Sequence, residues 1–452
     1  RRPIVCNHYR YSEELMDRHA YEKGAFVLSM LRAALGDEPF FRSLAHFLKK
    51  HAFGAAETTD LRVAIEEATG RNLSWFFEQW VFGEGIPELE VEYEWRREEK
   101  TVRLLVKQVQ SQSGTTRLFR LPVEIEIVSE QTGEPECRDS YQIVIESAQQ
   151  ELYFPCANKP RLVVFDKGHK LLKVLRFPKS TQELLFQLKH DEDVLGRVRA
   201  ARELASSRSE NIVRELNVVL EGDDFWGVRL AAALSLGEIG TAEARDALLA
   251  VLATSSDAKV RRGIACGLGS YKDSEVVAAL ATALNEDQSY FVAAAAARAL
   301  ANIGSAEAYA ILTRALAGSS WQEVVRVAVF HGFAVGKEQR SLDDALRHSR
   351  YGEHPAVRVA AITCLGALGK ELHPDGGDDR IVDHLIALLK DKSIRSRVTA
   401  VRALGRIGNR RAIGPLREAM LRECLDQLKG AIEDSIDSIE KAEKKLAPEC
   451  KS

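Results

Sequence analysis

The chain has 452 residues, and 63 lysines and arginines against 66 aspartates and glutamates give it a formal net charge of −3. This near-neutral balance argues against a protein that binds nucleic acid through a basic surface. The most apolar run, residues 291–297, is too short to span a bilayer, and seven cysteines without a Cys-x-x-Cys pair are typical of free thiols in a reducing compartment, so we expect a cytoplasmic location.

The length predicts about three domains, and proline marks their boundaries. Eight of the twelve prolines lie at or before Pro178, and residues 179–354 contain none. Because proline interrupts helix interiors, the long proline-free region predicts stacked helices. We therefore expect a multidomain α+β chain with boundaries at 88/89 and 178/179.

Residues 1–88 are predicted to be mainly helical. Apolar residues recur with helical spacing over 21–35, and further helices are expected over 40–51, from Thr58 to Gly70, and over 73–82. In the first helix, Glu22 and Lys23 are expected to be a solvated pair. In the last one, four aromatic residues share a single helical face, which predicts core packing: Trp75, Phe76, Phe77 and Trp80.

Residues 89–178 change to a period of two. Apolar residues alternate with charged ones from Leu89 to Trp95, and again in three later segments, with turn residues at 112–114 and 132–135 between them. Such alternation is typical of half-buried strands. The pattern predicts a small β-sandwich of about seven strands.

Residues 179–452 contain an internal repeat. The segments that begin at Val228-Arg229 and Val357-Arg358 resemble each other, and similar segments recur along this region. The second residue of each segment falls at position 199, 229, 261, 293, 326, 358 or 397. A period of about 30 residues with two helices per unit predicts an α-solenoid. The repeats resemble HEAT repeats, and the last segment, from Leu425, is expected to cap the stack.

Most of the repeats carry arginine at the same position. This series suggests either a groove for anions or a ladder of aspartate–arginine pairs that stabilises the stack, with Asp224, Asp257 and Asp391 as nearby carboxylates. The near-neutral net charge favours the ladder.

A complete active site is not apparent from motifs alone. The eleven histidines include no His-Glu-x-x-His pattern, and a glycine-rich phosphate loop is also missing. We therefore assign no metal-binding or cofactor-binding residue to this chain.

A string of residues near the start of the chain points to a family. It comprises Tyr21-Glu22-Lys23-Gly24-Ala25, Thr59-Asp60-Leu61, the aromatic segment from Trp75 to Val81, and Gly85-Ile86-Pro87. In this order and spacing the string resembles the C-terminal half of the catalytic domain of zinc aminopeptidases of the aminopeptidase N type, which belong to the gluzincin metallopeptidases. In that family a β-sandwich and a helical, HEAT-like domain follow the catalytic domain.

The resemblance implies specific chemistry. The tyrosine of the family's motif corresponds to Tyr21, whose phenol would donate a hydrogen bond to the oxyanion that forms when zinc-bound water attacks the scissile carbonyl. The family's zinc ligands and substrate-binding strand have no counterpart here, so we expect them upstream of Arg1. The chain is then a C-terminal fragment that binds no catalytic zinc and hydrolyses nothing on its own.

Two functions are compatible with this sequence. The first is part of a zinc aminopeptidase that hydrolyses N-terminal residues from peptides, with Tyr21 as its only catalytic residue in this chain. The second is a non-catalytic, aminopeptidase-like scaffold that binds protein partners through the HEAT solenoid. Retention of the tyrosine string favours the enzyme.

Overall fold

A computed structural model describes residues 2–110, 116, 118–130, 136–372 and 379–446 of the chain. The chain forms two compact units, Arg1–Gly196 and Arg197–Ser452. The boundaries expected at 88/89 and 178/179 stay predictions, and the turns expected at 112–114 and 132–135 lie outside the described residues.

The first unit begins with helices close to the predicted ones. After a 3-10 turn at Ser12–Leu15 and a π-helical turn at His19–Lys23, the helices are α1 (Gly24–Leu35), α2 (Asp37–Lys50), α3 (Thr58–Thr69) and α4 (Ser74–Phe77), which continues into a second π-helical turn, Glu78–Phe82. Gly36 separates α1 from α2 with a φ of 86°, a conformation that glycine adopts without strain. A capping box between Glu57 and Asp60 starts α3.

Seven strands follow in the described part of the chain, as the alternating pattern predicted. They are β1 (Glu88–Arg96), β2 (Thr101–Gln108), β3 (Leu121–Ser129), β4 (Cys137–Ile145), β5 (Gln149–Pro155), β6 (Pro160–Phe165) and β7 (Val174–Arg176). They form a four-stranded sheet in the order β5-β2-β1-β7 and a three-stranded sheet in the order β4-β3-β6. All neighbouring strands are antiparallel except β1 and β7.

One hydrophobic core joins both sheets to the first helices. The inward residues of β2 and β3 are apolar and almost completely buried, and they lie in the same cluster as Leu31 of α1 and Trp80 of the second π-helical turn. Gln79 reinforces this contact, because its amide accepts a hydrogen bond from the backbone N–H of Arg120 at 2.7 Å and donates to the Arg120 carbonyl at 3.2 Å. The helices and the sheets therefore fold as one unit.

Helix α5 (Thr181–His190) belongs to this first unit as well. It starts with a capping box between Ser180 and Glu183 and contacts strand β6. The sequence predicted this segment as part of the solenoid, and that boundary stays a prediction.

The second unit consists of helices. Helix α6 (Val194–Leu204) crosses the boundary between the units, and the helices that follow are α7 (Glu210–Gly222), α8 (Trp226–Ile239), α9 (Ala242–Thr254), α10 (Ala258–Leu268), α11 (Ser274–Glu286), α12 (Tyr290–Ile303), α13 (Ala306–Ala315), α14 (Val324–Gly336), α15 (Leu342–His348), α16 (Pro355–Leu372), α17 (Asp379–Leu388), α18 (Ile394–Ile407), α19 (Ile413–Arg422) and α20 (Asp426–Leu446). Short 3-10 turns precede α14, α15 and α19, at Trp321–Glu323, Gln339–Ser341 and Arg410–Ala412.

The second unit has two helix layers. The even-numbered helices from α8 to α20, here called the second-helix layer, each pack against the next. The odd-numbered helices from α7 to α19 form the first-helix layer. This arrangement of paired helices is the α-solenoid that the repeats predicted.

Small residues allow the second helices to approach each other closely. A Cβ atom added to Gly267 of α10 would lie 2.7 Å from the carbonyl oxygen of Ala233 on α8, and one added to Gly237 would lie 2.5 Å from the Cα atom of Gly267. Helices α14 and α16 repeat this pattern, with Gly332 against Ala301 and Gly366 against Ala403. These contacts leave no room for a larger side chain.

The structure confirms a ladder of arginine–carboxylate pairs. Arg261 donates to both carboxylate oxygens of Asp287 at 2.7 and 3.0 Å, and Arg358 does the same to Asp391 at 2.5 and 3.2 Å. Arg397 donates to Glu423 at 3.0 Å. Each partner lies between the two helices of the next pair, so every bond joins one repeat to the following one.

Some partners of the ladder arginines differ from the carboxylates that the sequence predicted. Of the nearby carboxylates only Asp391 accepts from a ladder arginine, whereas Asp257 caps α10 through the backbone N–H of Lys259. Arg229 and Arg326 donate to the carbonyls of Leu220 and Leu316, and Arg326 also lies 3.4 Å from the carboxylate of Glu323 in the turn before α14. In the first repeat, Arg197 and not Arg199 pairs with a carboxylate of the next repeat, Asp223.

We expect Gly267→Ala to lower the free energy of unfolding by about 1–3 kcal/mol, because the added methyl group forces α8 and α10 apart. Gly222→Ala is the matched control, since a Cβ at Gly222 meets nothing within 4 Å. It should leave stability unchanged or raise it slightly. Thermal unfolding of both variants checks this, and equal melting temperatures would contradict the close packing described above.

Candidate functional site

Tyr21 lies in an unusual stretch of backbone. It occupies the middle of the π-helical turn His19–Lys23, which leads directly into α1. Its side chain is 62% exposed. Short π-helical segments are rare and occur frequently at functional sites. The phenol is thus accessible to a substrate, as a hydrogen-bond donor has to be.

Asp17 anchors this turn. Its Oδ1 atom accepts hydrogen bonds from the backbone N–H groups of His19 at 2.9 Å and Ala20 at 3.1 Å, and its Oδ2 atom lies 2.9 Å from the Nδ1 atom of His19. The backbone carbonyl of Asp17 also accepts from the N–H of Tyr21 at 3.1 Å. Asp17 therefore fixes the backbone that carries Tyr21.

Arg2 completes the anchor. Its guanidinium donates to both carboxylate oxygens of Asp17, at 3.1 and 2.7 Å. It also donates to the carbonyl of Pro3 at 2.8 Å. Burial alone raises the pKa of Asp17, but hydrogen bonds from His19, Ala20 and Arg2 outweigh this effect and hold the pKa well below its usual range.

The first residues of the chain connect this anchor to the second π-helical turn. The backbone N–H groups of Ile4 and Val5 donate to the carbonyl of Val81, at 3.0 and 3.2 Å. Val81 lies within the turn Glu78–Phe82, and the residue before it, Trp80, is 1% exposed and belongs to the core. The Tyr21 turn is therefore tied to the hydrophobic core through the segment that precedes it.

Lys23 differs from its prediction. Glu22 is exposed and lies 3.7 Å from the guanidinium of Arg18, as expected for a solvated residue. Lys23, however, is only 9% exposed, and its Nζ atom lies 3.5 Å from the carbonyl of Arg2. Burial lowers the pKa of Lys23, the charge of Arg2 lowers it further, and Glu84 partly opposes this effect. The π-helical turn directs this side chain inward, which an α-helical pattern does not predict.

The aromatic segment confirms the expected core role. Phe76, Phe77 and Trp80 are nearly inaccessible to solvent, and Trp80 packs against Phe119 with ring centroids 5.3 Å apart. Trp75 is half-buried beneath the guanidinium of Arg120.

A metal-binding set does not form in the described part of the chain. No group of three histidine, cysteine, aspartate or glutamate side chains converges there. His46 and Glu67 contact each other at 2.8 Å, but Lys50 is their other neighbour and brings a positive charge. None of the described helices combines the length and the hydropathy that a membrane crossing requires.

Sequence analysis identified Tyr21 but missed Asp17, Arg2 and the inward position of Lys23. Asp17 lies just before the helical segment, where aspartate commonly accepts hydrogen bonds from the first N–H groups, so a capping signal was present. The pairing with Arg2 spans 15 residues of irregular chain and left no comparable signal.

Models of known families match two parts of the chain. The peptidase family M1 domain matches residues 1–80, and HEAT repeats match residues 181–265, 245–330 and 343–437. Together the HEAT matches cover more than half of the chain.

Curated relatives match a short part of the chain. Aminopeptidase M1-A of Oryza sativa subsp. japonica is 37% identical over 88 residues, which are 20% of this chain and 10% of that protein. Aminopeptidase N of Streptomyces lividans is 41% identical over 78 residues, 17% of this chain and 9% of that protein. Tricorn protease-interacting factor F2 of Thermoplasma volcanium is 32% identical over 116 residues, which are 26% of this chain and 14% of that protein. The matched segment is therefore about a tenth of the length of these relatives.

A solved structure matches nearly the whole chain. The crystal structure of Legionella pneumophila aminopeptidase A in complex with aspartic acid superposes with a TM-score of 0.67 and 17% sequence identity, over 96% of this chain and 58% of that one. At this identity the match concerns the fold.

Replacement of Asp17 by asparagine tests the anchor. We expect Asp17→Asn to reduce the hydrogen-exchange protection of residues 18–24 at pH 7 about fivefold, because the charged acceptor is lost, which corresponds to about 1 kcal/mol. Since the folded pKa of Asp17 is lowered, its contribution is complete above the unfolded value of about 3.9 and is lost as the pH falls further. The difference between protein and variant should therefore shrink below about pH 4.

Glu22→Gln is the control for this experiment, because it removes a carboxylate from the same turn that only contacts an exposed arginine. It should leave the protection unchanged at every pH. Equal protection in Asp17→Asn and Glu22→Gln would show that Asp17 does not hold the turn.

Proposed function

Because the chain belongs to the HEAT-repeat proteins and its first 80 residues match the peptidase family M1 domain, we propose that it is the C-terminal part of a zinc aminopeptidase. The whole enzyme would remove N-terminal residues from peptides. The observation that carries this proposal is Tyr21, which combines the family's motif with an exposed position on an anchored π-helical turn.

Tyr21 has the chemistry that stabilisation of an oxyanion requires. A phenol with a pKa near 10 keeps its proton at neutral pH and donates one hydrogen bond. Such a donor accelerates acyl transfer when it is held roughly 2.7–3.1 Å from the developing negative charge and already occupies this position before the reaction begins. Asp17 and Arg2 support this placement, because they hold the backbone that directly precedes the tyrosine.

The remaining catalytic groups would lie outside this chain. The described residues offer no zinc site, and the matched segment covers only about a tenth of the relatives. We therefore assign the zinc ligands and the general base to an upstream portion of the protein. The sheets would support the catalytic domain, and the solenoid would contribute a wall of the substrate chamber. A cytoplasmic location stays a prediction.

Tyr21→Phe in the intact protein tests the role of the phenol. We expect kcat to fall by roughly 10²–10³, as for the loss of one oxyanion donor, while KM changes little because the interaction forms only in the transition state. Steady-state hydrolysis of an aminoacyl 4-nitroanilide measures both constants. Tyr9→Phe removes the hydroxyl of another exposed tyrosine and should behave as the wild type; a Tyr21→Phe enzyme with wild-type kcat would refute the assignment.

A metal analysis separates the enzyme from the scaffold. The intact protein should contain one zinc ion per chain and lose its peptidase activity on chelation, whereas residues 1–452 alone should bind no stoichiometric zinc and should not hydrolyse the substrate. Atomic absorption after dialysis gives the metal content. An intact protein without zinc or activity would instead favour the non-catalytic scaffold.

A further inference from the structure

The charges of the solenoid are distributed unevenly over its helices: α20, at the end of the second-helix layer, contains six acidic and four basic residues, whereas the five second helices before it are strongly basic. Helices α10, α12, α14, α16 and α18 contain eleven lysines and arginines but a single acidic residue, Glu371. The seven helices of the first-helix layer contain thirteen acidic and seven basic residues. The near-neutral net charge of the chain conceals this separation.

Four of the eleven basic residues belong to the internal ladder, and the other seven share one helical face. Counted from the ladder position of each repeat, they lie at −2, +1, +5, +9 and +12, which fall within a sector of about 80° on a helix with 3.6 residues per turn. We call these residues the basic stripe: Lys259, Arg262, Arg298, Lys370, Arg395, Arg402 and Arg406.

The basic stripe faces solvent. Arg262 is half-buried and the other six residues are exposed. Among the described residues, none forms an ion pair with Arg262, Arg298 or Arg402, in contrast to the ladder arginines. Within the even-numbered helices from α8 to α18, the only carboxylate at these positions is Glu238 of α8, at the end of the row. Within the described residues, the positive charges of Arg262, Arg298 and Arg402 are therefore not neutralised by an ion pair.

Arg298 shows that neighbouring helices contribute to one continuous surface. Burial raises the pKa of the Cys266 thiol on α10, and the positive charges of Arg298 and Arg262 oppose this. Burial lowers the pKa of His331 on α14, and Arg298 lowers it further. Arg298 of α12 thus acts on side chains of both adjacent helices.

Apolar side chains are interspersed with these charges. Leu234 of α8, Phe291 of α12 and Val335 of α14 occupy the same face, and they are 37%, 52% and 72% exposed. A partner for this surface has to carry negative charges with apolar groups between them.

We propose that the basic stripe binds an acidic segment of a partner polypeptide in an extended conformation. The charge complementarity identifies carboxylates as the groups that face the stripe. The proposal is independent of the peptidase function, since none of these residues lies in the first unit.

The spacing of the helices favours an extended chain. Packed helices are about 8–10 Å apart, whereas an extended polypeptide rises about 3.3 Å per residue. Every third residue of such a segment therefore comes opposite a new helix. The distance from α10 to α18 comprises four steps, so about 12 residues span it.

A nucleic acid fits this surface less well. Single strands are bound by a continuous basic groove combined with aromatic side chains on which the bases stack. Here aliphatic Val335 lies between the cations of α12 and α16, and Leu234 lies on the helix before those of α10. Phe291 is the one phenylalanine, tyrosine or tryptophan at the stripe positions within α8 to α18. Aliphatic groups match the side chains of a polypeptide instead.

The experiment uses the full 452-residue chain and a fluorescein-labelled 18-residue peptide with glutamate at every third position and serine or leucine between. Fluorescence anisotropy should show saturable binding that weakens with added salt, since exposed charges are screened. We expect Arg262→Glu/Arg298→Glu to weaken binding at least about tenfold. A peptide of the same composition with its six glutamates contiguous should bind less tightly.

Arg214→Glu/Arg314→Glu is the matched control. It reverses two exposed arginines of the first-helix layer, with the same change in net charge, and should bind like the wild type. Circular dichroism verifies that both double variants fold; should the stripe variant unfold, Arg298→Ala alone replaces it, with a smaller expected loss. No binding of the peptide, equal losses in both double variants, or tighter binding of an 18-nucleotide single-stranded DNA would overturn the proposal.

Discussion

The close approach of the second helices is the constraint on which the solenoid depends. Gly237 and Gly267 bring the backbones of α8 and α10 into direct contact, and Gly332 and Gly366 lie against alanines of the neighbouring helices, so the side that each of these helices presents to its neighbour is fixed. Because that contact is fixed by the absence of side chains, the register of each helix about its axis is fixed too. The other positions of these helices lie either at the edge of the helix contact, where the ladder arginines reach the next repeat, or on the side that faces solvent.

This register gives the arginines of the second helices two different roles. Arg358 is 4% exposed and is held by Asp391 and the Ser349 carbonyl, so its charge is satisfied within the protein. Arg402, on the neighbouring helix but turned to another side, has no such carboxylate among the described residues and remains exposed. Only exposed arginines such as Arg402 can bind a partner, because a charge that is buried and paired within the protein is not available to it.

The turn that carries Tyr21 also depends on a backbone that is held in place. A tyrosine can stabilise a transition state only if its backbone does not move, and the first N–H groups of a helical segment have no acceptor within that segment. Asp17 supplies the missing acceptors, and Arg2 holds Asp17 in turn. The core helices and the sheets then fix this arrangement, since Val81, which binds the first residues of the chain, adjoins the buried Trp80.

Local pattern was sufficient for much of this protein. Helical spacing, alternation and the repeat each depend on residues near in sequence, so they predicted α1 to α3, the seven strands and the solenoid, and the tyrosine motif indicated the family. Other features depend on residues brought together only by folding. The turn that buries Lys23, the pairing of Arg2 with Asp17 and the choice between Arg197 and Arg199 in the ladder are decided by which groups lie within hydrogen-bond distance. The net charge led sequence analysis to discount a charged surface, because a sum over the chain carries no information about which helix face each charge occupies.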